Sequence, residues 1–156
     1  MALHKKKAWD GRFTKVPDPS MEAFTSSLAV DRRLAHYDIQ GSVAHCKMLV
    51  KRNILTVSEG KRILKGLAGI ERELQRGTFP FLSSDEDIHM AIERRLTEKI
   101  GAVGGKIHTA RSRNDQVLLD VQLYMRDEIS QIRKLLASLQ KRLTTMAKRH
   151  RSTILP

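Results

Sequence analysis

Between Leu118 and Met146 the apolar residues Val121, Met125, Ile129, Ile132, Leu136, Leu139 and Leu143 recur at spacings that are mostly three and four. That period winds one apolar stripe along a single helix and marks the seam of a helical bundle or coiled coil. One helix is expected from about Asp115 to His150, roughly 50 Å long at ~1.5 Å rise per residue, which exceeds the width of a compact domain of this size. Nothing else in the 156 residues is long enough to cover it. The seam is therefore expected to pack against helices from further sequence, from other subunits, or from both.

The rest of the chain is also helical in period, and no run alternates with period two in β-branched residues. The expected fold class is all-α. From Asp31 to Asn53, Leu34, Ala35, Ile39, Val43, Cys46, Leu49 and Val50 fall at helical spacing and predict an amphipathic helix with Cys46 in the core. Thr56 and Glu59 form a capping-box pattern at the head of a second helix, whose core face is Ile63, Leu67, Ile70 and Leu74. Gly77 stands where a left-handed residue would stop it. Ser84 to Asp87 opens a third helix with its acids at the positive end of the dipole, and Gly101 closes it. Its stripe is Ile88, Ile92, Leu96 and Ile100. His89 and Glu93 fall on an adjoining face and read as a solvated pair; as metal ligands they lack a third residue nearby in sequence, so no metal is expected.

The chain carries 29 Lys and Arg against 17 Asp and Glu, for a net charge of +12. A nucleic-acid surface, a site for small anions, or a missing acidic counterpart would each account for it. The basic residues are scattered and aromatics make up only 4%, too few for a base-stacking platform, which argues against nucleic acid. No apolar stretch approaches the ~20 residues of a bilayer span, and the lysines near the start are followed by no apolar signal region. Cys46, the single cysteine, has no internal partner, and a reducing cytoplasm is the simplest location.

Between the third helix and the long one runs Gly104-Gly105-Lys106-Ile107-His108-Thr109-Ala110-Arg111-Ser112-Arg113-Asn114-Asp115-Gln116-Val117. Read as a binding loop, it offers glycines for close backbone approach, forked arginines for carboxylates, and Thr109, Ser112 and Asn114 for neutral hydrogen bonds. The helix that follows adds free amides and a positive dipole. Read structurally, it is a polar connection with Ser112 or Asp115 as N-cap. It is not a phosphate-binding P-loop. Gly105-Lys106 lies one residue too close to Gly101, Ile107 replaces the required Ser or Thr, and the loop follows a helix instead of a strand.

The same fourteen-residue run closely resembles the first signature region of argininosuccinate lyases, within the fumarase and aspartase superfamily. Trp9-Asp10-Gly11-Arg12-Phe13, Asp38-Ile39-Gln40-Gly41-Ser42, Gly77-Thr78-Phe79-Pro80-Phe81 and Asp87-Ile88-His89 resemble the family in the same order. Departures are Asp10 where the family usually has Gly, and Thr25 where it usually has Asn.

The resemblance implies cleavage of argininosuccinate to arginine and fumarate, by removal of a β-proton anti to the departing guanidinium, with no cofactor. It implies Ser27 and Asn114 as substrate contacts and Arg113 as a carboxylate partner, with Asp87, His89, Ser112 and Thr109 lining the same cleft. The proton-transfer histidine and serine are expected beyond residue 156, so no catalytic residue is assigned within the chain; His108 and His150 are not substitutes for them. The resemblance also implies a homotetramer whose long helices share a core, with residues 1–110 as an N-terminal helical domain and 111–156 as the loop end and first long helix of a central domain. Lens δ-crystallins share the motif and some lack activity, so a non-enzymatic relative stands as the alternative, with a basic nucleic-acid-binding module behind it.

Overall fold

The computed structural model describes residues 18–82 and 84–154. The Trp9 to Phe13 block and Leu155-Pro156 lie outside them. Among the described residues the regular structure is entirely helical, as the periodicity predicts. Two short helices, α1 (Pro19–Thr25) and α2 (Leu28–Asp31), lead through a 3-10 turn (Arg32–Leu34) into α3 (Ala35–Lys51). There follow α4 (Val57–Gln75), α5 (Ile88–Ile100), a 3-10 segment (Gly101–His108) and α6 (Arg113–Arg149).

The core lies where α3, α4 and α5 meet. Leu49 and Cys46 of α3, Ile63, Leu67 and Ile70 of α4, and Ile88 and Leu96 of α5 are all fully buried. Each Leu or Ile buried this way contributes about 1.5–3 kcal/mol relative to an exposed one. The predicted capping box is formed: Glu59 N–H donates to Thr56 Oγ1 at 3.2 Å, and Thr56 N–H to Glu59 Oε2 at 2.9 Å. Gly77 takes φ 67° directly after α4, as a left-handed stop requires. Arg95 holds Glu73 in a two-pronged ion pair at 2.9 and 2.8 Å that staples α5 to α4.

The acids before α5 work differently from the sequence expectation. The helix begins at Ile88, so Asp85, Glu86 and Asp87 precede it. Asp85, buried, accepts from Leu82 N–H at 2.9 Å and from Arg94 at 2.7 and 2.8 Å, while Arg94 also donates to Pro80 C=O at 2.8 Å. These bonds tie the Phe79 to Asp87 connection to the body of α5. A bidentate, mostly buried pair is the arrangement in which an Arg–carboxylate contact is strongest.

The helix α6 has 37 residues and leans on α3 only near its start. Tyr124 stacks edge-on to Tyr37 at 5.8 Å, and Tyr37 donates to Asp127 at 3.1 Å. From Met125 to Ile154 every residue is exposed. The predicted seam is therefore open among the described residues, with Ile129, Ile132, Leu136, Leu139, Leu143 and Met146 each more than half exposed.

Candidate functional site

Three segments far apart in sequence converge at the N-terminal end of α5. Asp87 is its N-cap: the extended backbone there turns the carboxylate back to accept from Met90 N–H at 2.6 Å. Ser27 donates its N–H to Glu86 C=O at 2.9 Å and its hydroxyl to Asp31 Oδ2 at 2.6 Å. The other oxygen of Asp31 accepts from Ile88 N–H at 3.2 Å. Arg113, in the first turn of α6, completes the group, with Nε 3.4 Å from Asp87 Oδ2, Nη2 4.0 Å from Glu93 and Nη1 donating to Gln116 Oε1 at 2.8 Å.

Ser112 is the N-cap of α6 and accepts from Asn114 N–H at 3.2 Å. Of the two caps left open by the sequence, the structure uses the serine. Asn114 is exposed in the first turn beside Arg113. Thr109 is also exposed, but its contact runs to α3: its carbonyl accepts from His45 Nε2 at 2.9 Å. The geometry thus pairs Asp87 with Arg113 directly, ties Ser27 to the same helix start through Glu86 and Asp31, sets Ser112 and Asn114 beside Arg113, and holds Thr109 on the His45 side. An anion in front of Arg113 would meet a guanidinium and helix-terminal amides together.

The stretch before α6 is less open than a binding loop. Residues 101–108 form the 3-10 segment, with Ile107 and Gly104 buried. A Cβ on Gly104 would come within 2.8 Å of Thr97 Cα and N, so this glycine serves contact with α5 and not approach to a ligand.

His89 is 1% exposed and lies between two carboxylates, not in a solvated pair with Glu93. Its Nδ1 is 3.1 Å from Asp38 Oδ1 on α3 and 3.3 Å from Asp120 Oδ2 on α6. Gln116 donates its amide to the same Asp38 oxygen. Asp38 and Asp120 are as buried as His89. Asp120 lies within ion-pair distance of His89, yet neither of its oxygens is aligned with a donor for a hydrogen bond. A buried carboxylate so placed favours its protonated form. Burial first, and the Asp38 charge second, push Asp120 up to about 7. Burial alone would lower the His89 imidazolium, but the hydrogen bond and charge of Asp38, with Asp87 and Asp120 behind it, outweigh it and raise the pKa.

Asp38, His89 and Asp120 offer three ligand atoms within 4.8 Å of one another, so the third residue that the sequence reading found lacking is supplied by other helices. Arg111 donates to Ser42 Oγ at 2.9 Å and, with Asp120, flanks Gly41, which sets a guanidinium beside the cluster.

Sequence reasoning assigned no role to Asp38, Gln116 or Asp120, and read Arg111 as a forked donor for carboxylates, whereas the structure turns it to Ser42. One signal was present: Asp38 sits on the stripe of Leu34, Ala35 and Ile39, where a lone charge on an apolar face requires a buried partner. Which partner could not be read, because His89 and Asp120 are 51 and 82 positions away.

Among curated proteins, the argininosuccinate lyase of Syntrophotalea carbinolica is 51% identical over 151 residues, covering 97% of this chain and 33% of the relative. That of Symbiobacterium thermophilum is 50% identical over 150 residues (96% and 32%), and that of Syntrophus aciditrophicus 49% over 155 residues (99% and 33%). The chain thus spans about a third of the length of these relatives. Residues 11–156 match the sequence model of the family described as Lyase. The all-helical architecture agrees with that match, and the chain belongs to the Lyase family.

Proposed function

We propose that this chain supplies the substrate-binding N-terminal part of an argininosuccinate lyase, which releases fumarate and arginine by β-elimination in arginine biosynthesis. The observation that carries this reading is identity near 50% to argininosuccinate lyases along almost the whole chain, including the run through Arg113 and Asn114. Removal of a proton beside a carboxylate places a second negative charge on that carboxylate in the transition state. A fixed guanidinium and helix-terminal amides lower the energy of that charge, and one such donor is worth about 2.7–4 kcal/mol where water is excluded. In this reading Arg113 meets the carboxylate, and Ser27 and Asn114 orient the substrate. Asp87, Ser112 and Thr109 line the cleft, and His89 supports it from below.

Proton transfer falls to residues of the longer protein. His150 lies at the far end of α6, roughly 55 Å from Ser112 at ~1.5 Å per residue, too distant to serve the same site. Residues 1–110 form the N-terminal domain in this reading, α6 is the first helix of a central bundle shared by four subunits, and the assembly works in the cytoplasm.

The test is fumarate absorbance on incubation with argininosuccinate. The full-length protein containing this segment is expected to release fumarate and the 156-residue chain alone to release none. No fumarate from the full-length protein would overturn the assignment, and turnover by the chain alone would overturn the placement of the proton-transfer groups.

A further inference from the structure

We infer that Asp38, buried beneath the candidate site, is a positioning residue that sets the orientation of Arg113 through Gln116. This rests on the reading of Arg113 as the carboxylate partner.

Gln116 is 5% exposed and bridges two charges. Its amide NH2 donates to Asp38 Oδ1, and its carbonyl accepts from Arg113 Nη1 at 2.8 Å. A side-chain amide has one accepting and one donating end, and which end faces which neighbour is decided by the neighbours. An ionised carboxylate only accepts. Asp38 therefore selects the amide orientation that turns the carbonyl toward Arg113, and the opposite orientation would set acceptor against acceptor at Asp38 and donor against donor at Arg113. His89 Nδ1 closes on the same Asp38 oxygen at 3.1 Å and holds that carboxylate in place. Arg113 is then gripped by Gln116 at Nη1 and by Asp87 near Nε at 3.4 Å, while Glu93 at 4.0 Å leaves Nη2 the loosest edge. That edge is the one a substrate carboxylate would take. Arg113 retains 30% side-chain exposure while Asp38 is sealed, so Asp38 acts on the ligand only through the bridge.

The experiment is a double-mutant cycle in the full-length protein, with KM for argininosuccinate as readout. Asp38→Ala is expected to raise KM ~10-fold in the wild-type background and less than ~2-fold when Arg113→Lys is already present, since coupled residues are not additive. Gln116→Met, which removes both ends of the bridge and leaves the carboxylate, is expected to reproduce this pattern and carries the test if Asp38→Ala does not fold. Equal fold-changes in both backgrounds would overturn the proposal, because a purely structural role does not depend on Arg113. If the wild-type protein releases no fumarate, the lyase reading fails, and the positioning claim is judged from crystal structures of the same variants. Displacement of the Arg113 guanidinium from its wild-type position supports it, and an unmoved guanidinium overturns it.

Discussion

Arg113 Nε on α6 lies 3.4 Å from the carboxylate of Asp87, the same carboxylate that caps α5 through Met90 N–H. One side chain thus ends a helix and steadies a cation of the candidate site. The two duties separate on substitution. Asn caps helices about as well as Asp, so Asp87→Asn is expected to change unfolding free energy by less than ~0.5 kcal/mol, whereas Asp87→Ala is expected to lose about 1 kcal/mol. Both remove the charge beside Arg113. Urea denaturation of the two variants checks this, and equal losses would show that the cap contributes little.

Asn114 is exposed in the first turn of α6, and only its backbone N–H, bonded to Ser112, takes part in the cap. Removing its side chain therefore leaves the helix start intact. In the full-length protein Asn114→Ala is expected to lower kcat/KM at least ~10-fold, about 1.4 kcal/mol of transition-state stabilisation. Steady-state kinetics with argininosuccinate reads it, and unchanged kinetics would remove Asn114 from the site.

Gly104 and Gly105 are neighbours with opposite surroundings. A Cβ at Gly104 meets Thr97 backbone at 2.8 Å, and at Gly105 it meets nothing within 4 Å. Backbone cannot yield as a flexible side chain does, so Gly104→Ala is expected to cost about 1–3 kcal/mol through overpacking. Gly105→Ala is expected to be neutral within ~0.5 kcal/mol. Thermal unfolding of both variants decides between this packing role and a conformational one, which would penalise both.

The contrast between these glycines shows where sequence reading ends. The helices, the capping box at Thr56, the left-handed stop at Gly77 and the burial of Cys46 were legible, because each follows from residues within one or two turns of each other. The open seam of α6 was legible from its period. The setting of His89 was not: its partners come from α3 and α6, and only tertiary packing brings them within 3.3 Å. The same holds for Gly104, whose contact with Thr97 depends on how the 3-10 segment folds back on α5. Arg113 could be named as a carboxylate partner from resemblance, but nothing local indicated that Gln116 would bind it to a buried acid.

The buried carboxyl of Asp120 also makes stability depend on pH. Its pKa is raised from 3.8 to about 7, so between those values the folded chain keeps a proton that the unfolded chain has released. Stability therefore falls as pH rises across this window. His89 adds to the same trend: its pKa is raised above 6.5, and its contribution, complete below 6.5, is lost as pH rises through the folded value. The two groups interact, so their contributions do not add, and the combined change from pH 5 to pH 8 is expected on the order of 1–2 kcal/mol. Asp120→Asn is expected to remove most of this slope. Denaturation midpoints of the two proteins at several pH values test it, and a variant as steep as the wild type would rule out Asp120 as the source.

The exposed seam of α6 predicts association. Ile132, Leu136 and Leu139 are 52%, 54% and 54% exposed on one stripe of a helix that no other described residue covers beyond its first turns. An apolar strip of this kind, flanked by charged faces, is removed from water by pairing with another such strip. The 156-residue chain is expected to sediment as an oligomer whose size grows with concentration. Replacing Leu136 and Leu139 together by Lys should shift it to monomer. Lys has nearly the helix propensity of Leu, so the helix persists while its apolar stripe is broken. Circular dichroism on the same samples separates the two effects: lost helicity would mean that the helix depends on pairing, and unchanged sedimentation with full helicity would place the contact elsewhere than the seam.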